Sequence, residues 1–563
     1  MKHINPLLVF IVVFLFPSAI HAQDKTTDLF PHHPDAFTHA DTLRGSNTRW
    51  RSWWDVTFYD LHVRINIPQR TISGYNAITY RVTGAPPEDT AGQLQIDLMH
   101  PLLIDSITQN GASLPYARQG NAFFVQLNGP QKLHSLQTLT VYYHGSPKIA
   151  KNAPWDGGFI WAKDAAGHPW VATACQGIGA SIWWPNKDYQ GDEPDSQRIA
   201  ITVPENLMDF SNGRLRRKIQ NNDRTTTYEW FVDNPINNYD VAVNIGAFAH
   251  FSDTLSGEKG ILSLDYYALP ENLQKAKKQF SQAKRMLHCF EHWFGPYPWY
   301  KDGYKLVEAP FLGMEHQSCV AYGNGYENGY RGRDLSHTGW GLKWDFIIVH
   351  ESAHEWWGNN ITTQDLADMW VHEAFANYAE ALYTEWLYGR KAGDTYCRGT
   401  RENVLNDKPI IPAYGVNQEG SGDMYYKGGN MILCIREWIN NDEKFRQILR
   451  GLNEKFRHQT VTGQQIEDYI CRASGIDFSK MFRQYLTTTQ IPRFEYYIRK
   501  NRLHYRWNNV VQGFDMPIKV RLNNDSLSFI YPTETWQVRA LQLAHKKDFA
   551  VDPNFYVRVV KKK

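Results

Sequence analysis

Phe346-Ile347-Ile348-Val349-His350-Glu351-Ser352-Ala353-His354 is the stretch that decides how this chain is read. Its apolar start and the following Trp356 and Trp357 predict a buried helix over about 343–357. Two His residues four positions apart on a helix lie about 40° apart around its axis, on one face and one turn from each other. Both imidazoles can then reach a single zinc ion at about 2.0–2.1 Å. Glu351 sits beside the pair, where it can hold a water in the open metal position and act as general base. Burial sharpens the reading, because each unpaired polar group in such a helix costs about 1–3 kcal/mol.

A catalytic zinc needs a third protein ligand. The next helical pattern, about 366–388, ends at Gly389 and contains Trp370-Val371-His372-Glu373-Ala374-Phe375-Ala376-Asn377-Tyr378-Ala379-Glu380. Glu373 is the candidate third ligand. Glu380 lies two turns on, on the same face, placed to orient a ligand His. A metzincin would require Gly at 357 and His at 360; this chain has Trp357 and Asn360. The ligand set His350, His354 and Glu373 is therefore that of a gluzincin.

Outward from this centre the period of the apolar residues changes. Leu273, Ala276, Phe280, Ala283, Leu287, Phe290 and Phe294 step by three and four, predicting a helix that ends at Gly295-Pro296. Upstream the period is two: Tyr59, Leu61, Val63, Ile65 and Ile67 alternate with polar residues, as do Ile78, Tyr80, Val82 and Leu139, Val141, Tyr143. After Pro492 alternation returns with Ile518, Val520 and Leu522. The expected organisation is a polar linker or loosely packed arm over 23–49, a β domain over 50–255, a helical catalytic domain over 256–490 and a small β domain over 491–563.

At 563 residues the chain has room for about three to four domains. Lys plus Arg is 60 against Asp plus Glu 58, a net charge of +2, which argues against a nucleic-acid partner. Aromatics at 14% are high, as in many extracellular and sugar-binding proteins, so composition alone leaves a non-catalytic, aromatic-rich binding protein open. Lys2 and His3, the apolar run Leu7–Phe16 and Ala22 before Gln23 form a cleavable export signal over 1–22, implying a periplasmic or secreted protein. That run is too short to span a bilayer, and no later run is long enough. Six Cys without CxxC spacing do not make a disulfide framework.

The blocks around the metal motif resemble the M1 family of zinc aminopeptidases, which includes aminopeptidase N and leukotriene A4 hydrolase. Gly313-Met314-Glu315-His316 resembles the end of its G-x-M-E-N motif, Tyr425-Tyr426-Lys427-Gly428 its Y-x-K-G, and Thr173-Ala174-Cys175-Gln176 the segment that supplies an amine-side Gln. The resemblance runs over the mature chain. It implies a multidomain α+β architecture: an N-terminal β saddle, a thermolysin-like, mostly α catalytic domain and a small C-terminal β domain, without the family's large helical C-terminal domain. It implies one zinc per chain on His350, His354 and Glu373, with Glu351 activating the water and Tyr425 donating to the oxyanion. Glu315 and Gln176 would hold the substrate's free α-amine, and the backbone at Gly313 and Met314 would pair with the substrate as an added strand. His316 and His372 stand where the family has Asn, and are expected to replace it as hydrogen-bond partners. The expected reaction is removal of the N-terminal residue from peptides. A gluzincin endopeptidase has no use for Glu315, and an epoxide hydrolase of the leukotriene type shares the zinc residues and is separated only by assay.

Overall fold

The computed structural model describes residues 37–90, 92–523 and 526–563. The export signal expected over 1–22 lies outside them, as does the arm up to residue 36.

Alternation becomes strand where it is strict. Trp54–Asn66 buries Tyr59, Leu61, Val63 and Ile65 and turns Asp60, His62 and Arg64 outward. It pairs antiparallel with Thr71–Val82 (Tyr59 opposite Ile78) and parallel with Ser196–Pro204 (Leu61 opposite Ile199), at the middle of an eight-stranded sheet. A three-stranded and a four-stranded sheet, the latter built on Gly158–Lys163 and Pro169–Ala174, share one apolar core with it. Trp54, Trp183 and Trp184 are among its largest buried side chains.

The strand Ala249–Gly257 runs through the boundary expected at 255. It belongs to a different, five-stranded sheet ordered Ala249–Gly257, Gly260–Ala268, Tyr304–Glu308, Val320–Tyr322, Gly313–Met314. Gly313–Met314 pairs only with Val320–Tyr322, which makes it the edge strand.

The segment 37–49 is not a loose linker. Thr38 caps a short helix, α1 (His39–Gly45), in a reciprocal box with Asp41. Leu43 is buried, and the α1 end is stitched down by Arg51, which donates to the carbonyls of Arg44 and Ser46. The polar composition concealed a helix whose contacts are made by backbone and capping groups.

The helical region begins with α2 (Leu273–Gln279) and α3 (Gln282–Phe294), two helices where the period predicts one. Phe280 lies between them with its ring edge-on to Tyr322. Gly295 ends α3 at φ 97°, a conformation that favours glycine. Next come α4 (Phe346–Ala353), α5 (Trp370–Tyr388), α6 (Arg390–Gly399) and α7 (Tyr426–Ile439). The last β region, around Arg493–Arg499 and Arg502–Asn508, sits against the helices through Arg401 on the carbonyls of Pro553 and Asn554, and Asn554 on Glu437. All six Cys are free thiols, five of them buried. No helix among the described residues is long and apolar enough to cross a membrane.

Candidate metal centre

Asp345 caps α4, its side chain accepting from Ile348 N at 3.2 Å. The helix is buried along its whole length, so His350, Glu351 and His354 enter a dry interior. After Ala353 the backbone kinks: Trp357 and Gly358 leave helical geometry, Gly358 at φ 132°. The kink turns the Trp357 carbonyl back onto His354 Nδ1 at 2.8 Å. Helix α5 packs against α4 and brings Glu373 and Glu380 to the same point.

Three ligand atoms converge. His350 Nε2 and His354 Nε2 are 3.4 Å apart, and Glu373 Oε2 lies 3.6 and 3.4 Å from them. Among the described residues this is the one His/Cys/Asp/Glu cluster with metal-ligand geometry. Ligands about 2.1 Å from a tetrahedral zinc lie about 3.4 Å from one another, so the triangle fits. The donor chemistry fits too. Trp357 O can only accept, so His354 Nδ1 carries the proton and Nε2 offers its lone pair. His350 Nδ1 meets Glu380 Oε1 at 2.8 Å, with the same consequence. Glu373 Oε2 is buried with no hydrogen-bond partner. Three electron pairs aimed at one buried point call for a cation.

Without an ion, protons compete for the same nitrogens. Burial alone would lower His350, but the carboxylates of Glu373 and Glu380 override it and hold it well above an ordinary imidazole. The same contest, won mainly by Glu373, puts His354 at about 9. Glu373 opposes its own burial through His354 and His350 and stays ionised.

Glu380 is itself held by Asn377 Nδ2 at 3.2 Å and the Tyr396 hydroxyl at 2.6 Å. Glu380→Ala should therefore weaken metal affinity about 10–100-fold while leaving the ligand set intact. An unchanged dissociation constant in a chelator competition would refute that role.

The remaining expected residues surround this point. Glu351 is 8% exposed, and burial raises its carboxyl to about 7 against the pull of His350. A Cβ at Gly313 would lie 2.9 Å from Glu351 Oε1, so the edge strand passes directly over the base. Glu315 comes directly after that strand, buried, with the Tyr239 hydroxyl donating to it at 3.3 Å. Tyr425 stacks on His350 with ring centroids 5.9 Å apart and hydrogen-bonds Glu373. Burial, then Glu373, raises its phenol well above the ordinary value, so it stays a proton donor. Gln176 comes from the N-terminal β region and donates to Glu373 Oε1 at 3.2 Å, so it touches the expected ligand set itself.

The two departures behave differently. His372 Nε2 accepts from Thr363 N at 2.9 Å, a hydrogen-bond role as expected. Neither ring nitrogen of His316 has a partner, so for this residue the expected replacement of Asn is not what the structure shows. Burial pushes both imidazoles down to about 3, which keeps them neutral. Tyr239, Tyr396, Asn377 and the Trp357 carbonyl were not picked out from sequence. Asn377, four residues after Glu373 and three before Glu380, carried a helical-spacing signal; the other three carried none.

Two His and one Glu thus converge on packed helices beside an open edge strand, in the ligand geometry expected of a gluzincin. Residues 278–485 match the Peptidase family M1 domain. It is 20% identical over 502 residues to Probable aminopeptidase 2 of Sulfurisphaera tokodaii, covering 84% of this chain and 60% of that protein. It is 24% identical over 261 residues to Aminopeptidase B of Mus musculus, 42% of this chain and 36% of that one. The chain thus spans about three fifths or less of the length of these curated relatives. An M1 zinc metallopeptidase from Deinococcus radiodurans, crystallised as a mutant bound to a Tyr-Ser-Ala substrate, superposes with TM-score 0.65 at 19% identity, covering 78% of this chain and 96% of that one. That likeness establishes the shared fold.

Proposed function

We propose that the protein is a zinc-dependent aminopeptidase that removes the first residue of peptides with a free N-terminus. The observation that carries this reading is the placement of the buried Glu315 carboxylate directly after the edge strand Gly313–Met314 that passes over Glu351. Bound zinc supplies a Lewis acid for the scissile carbonyl and an acidified water. Glu351 takes the proton of the attacking water and passes it to the leaving amine. Tyr425 donates to the oxygen on which negative charge develops. Gly313 and Met314 offer free backbone groups to an extended substrate. Glu315 pairs with its α-ammonium, which sets the cut one residue from the end. Export through the segment at 1–22, to a periplasmic or extracellular location, belongs to the same proposal and rests on sequence alone.

An aminoacyl-anilide panel with and without chelator tests the reading. Turnover should need metal, and N-acetylated peptides should be poor substrates. Glu315→Ala should lower kcat/KM on free-amine substrates about 30-fold or more, the loss expected when a buried, charge-assisted contact of about 2–5 kcal/mol is removed. Efficient cleavage of acetylated peptides by the wild type would instead indicate an endopeptidase.

A further inference from the structure

The near-zero net charge of the chain hides a segregation. Residues 491–563 carry 14 Lys and Arg against 6 Asp and Glu, a net of +8, while the other 490 residues carry 46 against 52, a net of −6. The basic segment contains a four-stranded sheet ordered Gln537–Ala540, Arg502–Asn508, Arg493–Arg499, Arg558–Lys561. Phe494, Leu503, Tyr505 and Trp507 are buried on one face of it. Residues directly opposite each other across strands share a face. The register therefore puts Arg493, Arg499, Arg502, Arg506 and Arg558 together on the other face.

That face breaks a rule of strand pairing. Arg499 stands opposite Arg502, and Arg493 opposite Arg558. Like charges directly opposite each other destabilise a sheet. All four residues are exposed, and none has an ion pair among the described residues. Lys500, in the turn between Arg499 and Arg502, adds a further exposed cation. Glu495, the one acid that the register places on this face, is already engaged: Arg506 and Lys562 each pair with it at 2.8 Å, and Asn508 Nδ2 donates to it at 3.0 Å. Glu534, on the neighbouring loop, accepts from Gly513 N at 3.0 Å. The chain thus leaves this repulsion uncompensated, and an anionic partner would relieve it.

The layout of the cations selects the partner. They lie on three strands and at both ends of them, an area of about 10 by 20 Å. Aromatic rings stand between them. Tyr497 stacks on His504 with centroids 4.3 Å apart. Trp536 is 41% exposed, with its ring 5.2 Å from Tyr497 and 4.8 Å from the Arg506 guanidinium. Val538, opposite His504, is 49% exposed. A site for a single polymer strand would align its cations along a track; here they form a plane with exposed apolar side chains among them. Such a plane is complementary to a bilayer surface, where anionic headgroups meet the cations and Trp sits at the headgroup level. We propose that the outward face of this sheet docks the protein peripherally on an anionic phospholipid surface. The inference does not depend on the aminopeptidase reading.

Sedimentation of the full chain with vesicles of mixed phosphatidylglycerol and phosphatidylcholine, against vesicles of phosphatidylcholine alone, tests the proposal. Binding should be about tenfold or more tighter to the anionic vesicles and should weaken with added salt. Replacing two cations together, Arg499→Gln with Arg502→Gln, should lower partitioning onto the anionic vesicles about thirtyfold. Trp536→Ala should lower it about threefold or more. Melting curves check that each variant is folded; where one is not, the wild-type comparison of the two vesicles decides alone. Equal binding to both vesicles, or a folded double variant that binds like the wild type, would overturn the proposal. So would capture of the chain by heparin or single-stranded RNA at a salt concentration that releases the vesicles, since the face would then be a polymer site.

Discussion

Glu351→Gln should retain its metal and lose turnover, with kcat down by about 10²–10⁴-fold. Gln has the shape to fit beneath the edge strand, where only Gly313 leaves room for the side chain. It can still hydrogen-bond a water, but cannot accept its proton. The wild-type carboxyl suits that task because burial brings it to about 7, near the working pH, even with two imidazoles nearby. Its side chain is not one of the three ligand groups, so metal content should stay at one ion per chain. Elemental analysis with single-substrate kinetics checks both halves. Turnover like that of the wild type would sink the assigned base, and loss of metal would show that Glu351 belongs to the ligand set.

His354→Ala should abolish metal binding and activity together, and chelation of the wild type should do the same reversibly. The reason is the geometry of Glu373 Oε2, which is buried without a partner and depends on the cation that His350 and His354 complete. Leaving such a group uncompensated costs about 1–3 kcal/mol, more if it is charged. Melting temperature should accordingly fall by a few degrees on chelation and recover with zinc, while His354→Ala should not respond to chelator. Protons compete for the same nitrogens. In the metal-free site His354 sits at about 9 and His350 is also raised, so the protonated forms dominate below these values. Metal uptake near pH 7 must displace those protons, and apparent affinity should rise steadily from pH 6 toward pH 9. A flat affinity across that range, or a melting temperature indifferent to chelator, would contradict the site.

Much of the centre was legible because its key distances are local. The α4 spacing of His350 and His354, and the α5 spacing of Glu373 and Glu380, follow from helix geometry alone. The strands from Trp54 to Val82 were equally legible, since a half-buried sheet imposes alternation on its residues. Features made by the backbone escaped. The kink that brings the Trp357 carbonyl to His354 leaves only a glycine as its trace, and α1 is disguised by polar capping residues.

The residue types and their helical spacing by themselves put His350 and His354 on one face of α4 and Glu373 and Glu380 on one face of α5, because fixed turns of helix place those side chains whatever the rest of the chain does; bringing the two faces together took tertiary packing. Tertiary structure alone decided what that site faces. Gln176 reaches Glu373 across 197 positions of sequence, and Tyr239 reaches Glu315 across 76. No local periodicity links such positions; only the packing of separate segments against one another sets their distances, and with them the charge that meets a substrate.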